Sequence, residues 1–463
     1  MLSLNFLKEV YYRSPLWIKK IYSSIPFEIR NGKEYRKWIE FLKQNLDHEE
    51  YELLKLKETV TYSCLNVPYY KRIFKELGIL PEDIKSKNDL SKLPLLDKQI
   101  IREKPEDFMV RNYPAFRRFY VTTGGTSGAQ HKFYQSKNVW KKEQAFIINY
   151  YMGFDYNYSD LRATLRGGEF NELPDNVYWK INPINNEINF SPFHINTNTI
   201  KYYVDKLNDL KPMYIHGYPS ALLLLVKNIQ EHNLKLSYSP KAVFLSSENY
   251  TSEQKVELQG FFNGKISTYY GHSERLIFAP SDCELKTFTV DRRYGAFELV
   301  DDNDRVITQN GATGEIVGTS FDNYAMPLIR YRTNDLTSYS SYDSLKINPI
   351  KGRWNQEFLD GSNMLRVSLT GLNMHSDIFK NILAMQFYQP RVGEAVLVVV
   401  TKKDFTDFDA RKILHAFNKK AGHAIRFSLE RRDSLIQTER GKTKRIIKDY
   451  QPTVADTNLG ELI

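Results

Sequence analysis

A run of glycines and small hydroxyl residues is the first stretch of this sequence whose residue types could do chemistry. Four β-prone residues, 119–122, lead into Thr123-Gly-Gly-Thr-Ser-Gly128, and Phe133 with Tyr134 follows as a return strand. Glycine lacks Cβ, so backbone N–H groups can approach an anion closely, and the hydroxyls and Lys132 add donors and charge. The loop therefore suits a phosphate, although a plain hairpin turn has the same composition and no Walker Gly-Lys-Ser/Thr ending is present.

Two apolar segments further along the chain end in polar residues. Ala242–Leu245 leads into Ser246–Glu248, and Ile266 begins a strand that ends in Tyr270–Glu274. The alternation of strands and helices over residues 210–280 indicates an α/β region with a largely parallel sheet, and ligands gather at the carboxyl ends of such strands. We therefore expect both polar ends to face one crevice.

Two helices are predicted between these strands. One begins near Pro219, and the other starts at Thr251, whose hydroxyl offers an N-cap. His216 lies just before the first helix. A satisfied turn histidine and a pocket residue are both compatible with that position.

The elements that must position these residues change in character along the chain. Residues 61–105 combine helices with proline turns, and residues 285–345 are predicted to be all-β, with hairpin turns at 302–304 and 309–311. A strand, a helix and a strand are predicted at 394–401, 408–421 and 425–430. We expect a helical region (1–60), a large domain (61–353) and a small C-terminal domain (354–463).

The composition bounds the class of protein. The chain has 463 residues, enough for two or more domains, and its net charge of +10 suits nucleotides, nucleic acid or an acidic membrane surface. Its two cysteines, Cys64 and Cys283, belong to no Cys-x-x-Cys pair, which argues against a disulfide framework or a cysteine zinc site. There is no apolar run of about 18 residues and no signal-peptide pattern, so the sequence predicts a cytoplasmic protein.

Basic and aromatic residues are interleaved with apolar ones near the start of the chain. Trp17, Ile18 and Ile21 alternate with Lys19 and Lys20. A basic amphipathic helix of this kind can lie on the inner face of an anionic membrane, but it can also pack on the main domain with a solvated basic face. We favour the packed helix, with peripheral membrane contact as the alternative.

The segment before the glycine loop resembles a known family. Asn66-Val-Pro-Tyr-Tyr70, Pro81-Glu-Asp-Ile84, Asp89-Leu90 and Lys98 resemble the opening of phenylacetate–CoA ligase-like proteins, in particular the CapK-type capsular polysaccharide biosynthesis proteins. Five landmarks resemble those of the adenylate-forming superfamily in their order and spacing: Thr123–Gly128, Tyr270-Gly-His-Ser-Glu274, Tyr331-Arg-Thr-Asn-Asp335, Gly352-Arg353 and Thr438-Glu-Arg-Gly-Lys-Thr-Lys-Arg445.

The resemblance implies the α/β fold of adenylate-forming enzymes. That fold has a large N-terminal domain with parallel sheets and a β-barrel-like part, and a small mobile C-terminal α+β domain. The small domain would close over ATP and then turn about a hinge near Arg353 to admit the acceptor.

The resemblance also implies an AMP-producing ligase that uses ATP and Mg²⁺ to activate a carboxylic acid as acyl-AMP. The acyl group would then pass to CoA or to an amino group of a sugar, in capsule or surface polysaccharide biosynthesis. Lys442 would be catalytic, Glu274 would be catalytic and would hold Mg²⁺, Tyr270 would face adenine, and Asp335 would accept the ribose hydroxyls. The implied nucleotide-binding residues are Thr123, Gly124, Gly125, Thr126, Ser127, Gly128, Ser247, Glu248, Tyr270, Gly271, His272, Ser273, Asp335 and Arg353.

The sequence departs from the family pattern at several positions. Asn334 replaces the usual glycine, Ile436 replaces the usual proline, and Gln130-His131 stands where Pro-Lys is common. The zinc-ligating cysteines of some relatives are absent, so we predict no zinc. The departures leave open a second interpretation, a catalytically silent scaffold of a membrane-associated glycan-assembly complex. Nucleic-acid binding is not expected, because no RNA- or DNA-reading motif is present.

Overall fold

A computed structural model describes residues 14–123, 131–166, 170, 173–248, 250–350, 358–362, 365–372, 377–436 and 446–450. The helices are α1 (Leu16–Ser24), α2 (Phe27–Leu42), α3 (His48–Asn66), α4 (Pro68–Leu77), α5 (Lys98–Glu103), α6 (Lys137–Met152), α7 (Ile200–Leu210), α8 (Pro219–Glu231), α9 (Ser252–Phe262), α10 (Leu369–Leu372) and α11 (Asp407–Ala421).

Most strands belong to three larger sheets, and the others form two-stranded pairs. The strands are β1 (Arg118–Thr123), β2 (His131–Ser136), β3 (Arg162–Leu165), β4 (Trp179–Asn182), β5 (Glu187–Phe190), β6 (Tyr214–Gly217), β7 (Ala242–Leu245), β8 (Lys265–Ser267), β9 (Tyr269–Gly271), β10 (Phe278–Pro280), β11 (Phe288–Thr289), β12 (Gly295–Val300), β13 (Thr313–Ser320), β14 (Tyr331–Ser341), β15 (Lys346–Ile347), β16 (Phe358–Asp360), β17 (Arg366–Ser368), β18 (Ile382–Arg391), β19 (Glu394–Thr401), β20 (Arg426–Arg431) and β21 (Ile446–Lys448).

The six-stranded sheet has the order β4-β5-β3-β6-β7-β8. All neighbours are parallel except β4, which pairs antiparallel with β5 at the edge. Strands β6 and β7 are buried at every residue, as expected of strands covered on both faces, and β6 carries the polar His216 into this layer. Helices α7, α8 and α9 connect β5 to β8 along the chain. The predicted α/β region is confirmed, and it begins earlier than expected because β3 and β5 precede residue 210.

The five-stranded sheet has the order β11-β15-β14-β13-β12 and is antiparallel throughout. The all-β character predicted for residues 285–345 is confirmed, and both predicted turns lie between β12 and β13. Leu56 of α3 and Tyr70 of α4 share one buried apolar cluster with Phe297 and Ile316 of this sheet. The sheet and the N-terminal helices are thus held together by apolar burial.

The N-terminal helices differ in how deeply they pack. Helix α1 has no buried residue, whereas α2 buries Tyr35, Ile39 and Leu42 in a cluster with Phe146 of α6. Helix α3 runs through position 60, so the helical region continues into the next segment. Within the described ranges, no helix has both the length and the apolar character needed to cross a membrane.

The C-terminal part contains a four-stranded sheet of order β20-β19-β18-β21 and helix α11. The strands and the helix predicted in this part coincide with β19, β20 and α11 to within a residue. Leu397 and Ile413 join one buried cluster with Leu222 and Val243 of the parallel-sheet layer. The domain boundary near 354 stays a prediction, because residues 351–357 lie outside the described ranges.

Candidate active site

The candidate site lies where the parallel strands end. Gly217 of β6 and Leu245 of β7 are register neighbours, so the residues that follow them meet at one edge of the sheet. Ser246–Glu248 follows β7, and β9 with Tyr270 follows β8. Thr268 Oγ1 donates to the Leu245 carbonyl oxygen at 2.8 Å and ties the ends of β7 and β8 together. The ends of the two strands therefore meet, and that Ser246–Glu248 and Tyr270–Glu274 face one crevice stays a prediction.

Tyr270 and Asp335 come from different sheets and are in contact. The Tyr270 hydroxyl donates to Asp335 Oδ2 at 2.8 Å. Burial, together with the Asp335 carboxylate, raises the pKa of Tyr270 well above its ordinary value, so the hydroxyl remains a donor. This bond fixes the carboxylate of Asp335 beside the end of β9.

Asn334 explains how Asp335 is presented at this place. Its backbone is left-handed, with φ of 61°, and its N–H donates to Glu315 Oε1 at 2.7 Å. Asparagine adopts this conformation more readily than most residues with a Cβ. Asn334 lies within β14 beside a register shift, in a backbone conformation that glycine also adopts readily, so it can stand where the family has glycine.

Glu274 is buried and has three polar neighbours. The Tyr331 hydroxyl donates to Glu274 Oε1 at 3.0 Å, and Lys98 Nζ lies 3.4 Å from the same oxygen. His272 Nδ1 lies 3.5 Å from Glu274 Oε2. Burial alone would raise the pKa of Glu274, but Lys98 and His272 hold that pKa well below its usual range. The carboxylate is therefore charged at neutral pH even though it is shielded from water.

Lys98 reaches Glu274 because the segment before it pairs with β14. Leu96 N–H donates to the Arg330 carbonyl oxygen at 2.9 Å, and Arg332 N–H donates to the Leu96 carbonyl oxygen at 2.8 Å. Lys98 then begins α5, which is capped by the side chain of Asp97. The sequence identified Lys98 only as a landmark of the family opening, since no local pattern indicates a partner so far along the chain.

The remaining predicted site residues divide into two groups. Glu248 Oε2 accepts from Ser220 N–H at 3.1 Å at the start of α8, which gives Glu248 a structural role, and Ser247 is left-handed with φ of 61°. Thr123 ends β1, whose pairing with β2 confirms the predicted hairpin. Gly124, Gly125, Thr126, Ser127, Gly128, Arg353 and Lys442 lie outside the described residues. The ligand roles of both groups stay predictions.

Several buried polar atoms near the strand ends lack a hydrogen-bond partner within the part of the chain that the structure describes. They include Nε2 of His272, Nη1 of Arg275, Oε1 of Gln135 and Oγ of Ser246. An unpaired buried polar atom costs about 1–3 kcal/mol, and native proteins contain few of them. The atoms of His272 and Arg275, on either side of Glu274, are available to a polar ligand.

Comparison with known proteins identifies the relatives. No family model matches the chain. The sequence is 23% identical to protein CapK of Staphylococcus aureus over 96% of this chain and 100% of CapK. It is 24% identical to phenylacetate–coenzyme A ligase of Aromatoleum evansii over 62% of this chain and 65% of that ligase. The chain is homologous to CapK and to the phenylacetate–CoA ligases. The resemblance found in the motifs is confirmed.

Solved structures share the fold of this CapK homologue. One is 2-hydroxyisobutyryl-CoA ligase in complex with 2-HIB-AMP and CoA in the thioesterification state, with a TM-score of 0.58, 17% identity and coverage of 88% of this chain and 91% of that one. The same ligase in the postadenylation state with 2-HIB-AMP gives a TM-score of 0.53 at 17% identity, over 87% of this chain and 89% of that one. The predicted α/β fold of adenylate-forming enzymes is confirmed.

Proposed function

We propose that this CapK homologue activates a carboxylic acid with ATP as acyl-AMP and then transfers the acyl group to an acceptor. The observation that carries the proposal is the arrangement at the sheet edge, where Tyr270 binds Asp335 beside the buried, charged Glu274. The relatives support the reaction class, because two of them are named acid–CoA ligases and one is solved with 2-HIB-AMP and CoA.

The first half-reaction joins two anions. An oxygen of the substrate carboxylate bonds to the α-phosphorus of ATP, the bond from that phosphorus to the β-phosphate bridging oxygen breaks, and pyrophosphate leaves. Catalysis of such a transfer depends on positioning and positive charge. Lys442 would place an ammonium group at the carboxylate and the α-phosphate, and residues 123–128 would hold the β- and γ-phosphates.

The nucleoside would be bound by the Tyr270–Asp335 pair. Asp335 would accept the two ribose hydroxyls, while Tyr270 would hold Asp335 and present its ring to adenine. Arg353 would contact ribose or phosphate. The unpaired Nε2 of His272 suits an oxygen of the bound acyl-phosphate group. Ser247, Glu248, Gly271 and Ser273 would complete the nucleotide surface.

Magnesium fits the donor set at Glu274. Among the described residues, no group of three or more His, Cys, Asp or Glu side chains could hold a metal ion by itself. Mg²⁺ is often bound through only one or two protein carboxylates and takes its remaining oxygens from phosphates and water. Glu274 would be that carboxylate, and the ion would neutralise charge on the phosphates.

CoA is the acceptor that the relatives' names support. Its thiol sulfur would bond to the acyl carbon, the bond to the phosphate oxygen would break, the thiol proton would be lost to water, and AMP would leave. An amino group of a sugar is the alternative, in surface polysaccharide biosynthesis. The similarity to CapK spans 100% of that protein, whereas the similarity to the phenylacetate–CoA ligase spans 65% of it, which keeps this alternative open.

Exchange of label between pyrophosphate and ATP tests the first half-reaction. With Mg²⁺ and a panel of aliphatic, hydroxylated and aromatic acids, we expect at least one acid to support exchange. Lys442→Ala should slow the exchange about 10²–10³-fold, whereas Lys444→Ala in the same basic segment should not. Mass analysis after addition of CoA or amino sugars then identifies the acceptor. No exchange with any acid would overturn the proposal in favour of a silent scaffold.

We also propose that the start of the chain contacts an anionic membrane surface. Helix α1, the turn after it and the first turn of α2 expose Leu16, Trp17, Ile21, Ile25 and Ile29, with Trp17 63% exposed and Ile21 62% exposed. Clustered exposed apolar residues mark interaction surfaces. Lys19 and Lys20 lie on the same short helix, and a tryptophan-bearing basic helix suits the headgroup region of anionic lipids.

Vesicle co-sedimentation tests this contact. The chain is expected to bind phosphatidylcholine vesicles containing about one-third phosphatidylglycerol, less so at about 0.5 M salt, and weakly to phosphatidylcholine alone. Trp17→Ser with Ile21→Ser should abolish binding. Val256→Ser, at a residue of α9 that is 68% exposed, is the matched control. Absence of lipid binding would contradict the proposal. A parental chain that is dimeric and a double variant that is monomeric would instead assign the exposed apolar residues to a contact between two copies.

A further inference from the structure

The base of the β1–β2 hairpin is joined directly to the segment that contains Glu274. Gln135 of β2 is fully buried, and its Nε2 donates to the Ser273 carbonyl oxygen at 2.7 Å. Ser273 immediately precedes Glu274. The Arg275 guanidinium lies 4.5 Å from the ring centroid of Trp140, which belongs to the helix that follows β2. Two contacts on either side of Glu274 therefore reach the hairpin and its continuation.

A buried asparagine holds the opposite side of the same strand. Asn323 Oδ1 accepts from Ser136 N–H at 3.0 Å, and Asn323 Nδ2 donates to the carbonyl oxygens of Tyr134 at 3.1 Å and Met326 at 2.8 Å. One side chain thus binds the backbone on both sides of Gln135. This leaves β2 little freedom to slide relative to the five-stranded sheet.

The asparagine is itself anchored by a charged cluster. The neighbouring Asp322 lies 2.7 Å from Lys142 Nζ of α6 and 2.9 Å from Lys55 Nζ of α3. Lys142 is 1% exposed, and Asp322 also accepts from the Ser136 hydroxyl through its carbonyl oxygen at 3.0 Å. A buried pair of this kind is costly to break, so Asn323 is a rigid point of attachment.

We propose that Gln135 is a positioning residue. It holds the β1–β2 hairpin, whose strands flank residues 123–128, at a fixed distance from the Glu274 carboxylate. The proposal rests on the proposed function, which assigns phosphates to that segment and metal to Glu274. Misplacement of reacting groups by about 1 Å can cost 10²-fold in rate. Asn323 fixes the position of β2, and Gln135 fixes the distance between β2 and the backbone of Ser273.

The Gln135 side chain contributes little to stability beyond this one bond. Its Oε1 has no hydrogen-bond partner within the described ranges, so the amide is only half satisfied. A methionine side chain would fill the same space, but it would leave the Ser273 carbonyl oxygen without its donor and so lower the stability somewhat. The loss of positioning is therefore measured by comparing two nucleotides, and not by the melting temperature alone.

Gln135→Met tests the proposal by comparing the binding of ATP and of AMP by calorimetry. AMP lacks the β- and γ-phosphates, so it should report on the Tyr270–Asp335 region alone. We expect the Kd for Mg·ATP to rise about 10-fold and the Kd for AMP to change less than about 2-fold, at a temperature where both chains are folded. Gln135→Leu, which also lacks the donor, should show the same difference. Gln99→Met, at an exposed glutamine, is the control.

The possible outcomes are distinct. Equal weakening of the binding of ATP and of AMP, or unchanged binding of both in Gln135→Met and Gln135→Leu, would overturn the positioning role and leave the proposed function standing. A lower melting temperature with unchanged binding would make Gln135 purely structural. Failure of the parental chain to bind either nucleotide would overturn the proposed function and this inference with it.

Discussion

Asp335 is held by a hydroxyl from another sheet, and this contact determines what its carboxylate can do. Tyr270 fixes one face of the carboxylate at the sheet edge through a 2.8 Å hydrogen bond. Thr333 Oγ1 accepts from the Asp335 backbone N–H at 3.1 Å, so the residue is held at both its side chain and its backbone. A carboxylate held in this way suits two neighbouring hydroxyl donors better than a mobile one, because little entropy is lost on binding.

Asp335→Asn should weaken the binding of ATP and the binding of AMP equally. The amide keeps the shape but removes the charge and one acceptor, so we expect a loss of about 1–3 kcal/mol, or about 10–100-fold in Kd, for both nucleotides. Calorimetric titration measures this. Asp304→Asn, at an exposed aspartate that pairs with Arg332, is the matched control. Unchanged binding of both nucleotides would remove Asp335 from the site.

His216 is a buried histidine on β6, and it is neither in a turn nor paired through Nε2 within the described residues. Burial, together with the charges of Arg166 and Arg162, lowers the pKa of His216 well below its usual value. The folded chain therefore keeps His216 neutral, while the unfolded chain takes up a proton as the pH falls below about 6.5. The stabilising effect of the neutral form is complete above that pH and is lost below it.

His216→Asn should reduce the acid sensitivity of the fold. Between about pH 7 and about pH 5.5 the free energy of unfolding of the parental chain should fall by up to about 1.4 kcal/mol per pH unit from this group. Melting temperatures measured across that range should therefore fall less steeply in the variant. His48→Gln, at an exposed histidine, is the control. Equal slopes in the parental chain and His216→Asn would contradict the assignment.

At the level of single elements, α9 shows a helix whose start the sequence predicts correctly. Thr251 Oγ1 accepts from Gln254 N–H at 3.3 Å, and Gln254 Oε1 accepts from Thr251 N–H at 3.0 Å, so a capping box closes the first turn. The cap signal is local, because donor and acceptor are three residues apart. The helix positions the end of β7 relative to β8.

Thr251→Ala should lower the free energy of unfolding by about 1 kcal/mol, because the Gln254 backbone N–H loses the hydroxyl oxygen that caps it. Chemical denaturation followed by circular dichroism measures this. Thr251→Ser keeps the hydroxyl and should retain most of the stability. A loss as large in Thr251→Ser as in Thr251→Ala would show that the methyl group, not the cap, is responsible.

At the level of the complete chain, the C-terminal part packs on the parallel-sheet layer. His194, after β5, and His423, after α11, have ring centroids 6.1 Å apart, and a Cβ on Gly422 would lie 3.1 Å from His194 Nε2. The hinge near Arg353 lies outside the described residues and stays a proposal. If the C-terminal part turns between two half-reactions, these contacts belong to only one of its positions.

Cross-linking across this contact should stop one half-reaction only. His194→Cys with His423→Cys, in a chain that also carries Cys64→Ser and Cys283→Ser, can be joined by a short reducible linker. We expect the linked chain to lose either pyrophosphate exchange or acyl transfer, and reduction to restore it. Each single cysteine variant, treated identically, is the control. Full activity in both half-reactions after quantitative linking would contradict the hinge.

Local chemistry made the family and the candidate residues predictable. A glycine loop, a Tyr-Gly-His-Ser-Glu segment and a Tyr-Arg-Thr-Asn-Asp segment are short patterns whose residue types suit the ligands proposed for them. The buried strand β7 was also predictable, because four apolar residues between turn signals leave few other structures. The cap of α9 and the strands β19 and β20 of the C-terminal sheet were predictable from equally local patterns.

Partners, burial and exposure depended on contacts between distant segments. Lys98 and Tyr331 beside Glu274, Gln135 beside Ser273, and the exposed apolar side chains of α1 are set by how the sheets and helices pack. The pKa of Glu274 is low because Lys98, far away along the chain, and His272 together outweigh burial. Residue identity and the spacing of apolar residues are properties of the sequence, so the candidate chemistry could be inferred from the sequence alone. Which groups come into contact, and how far they are shielded from water, depends on long-range packing that no local pattern encodes.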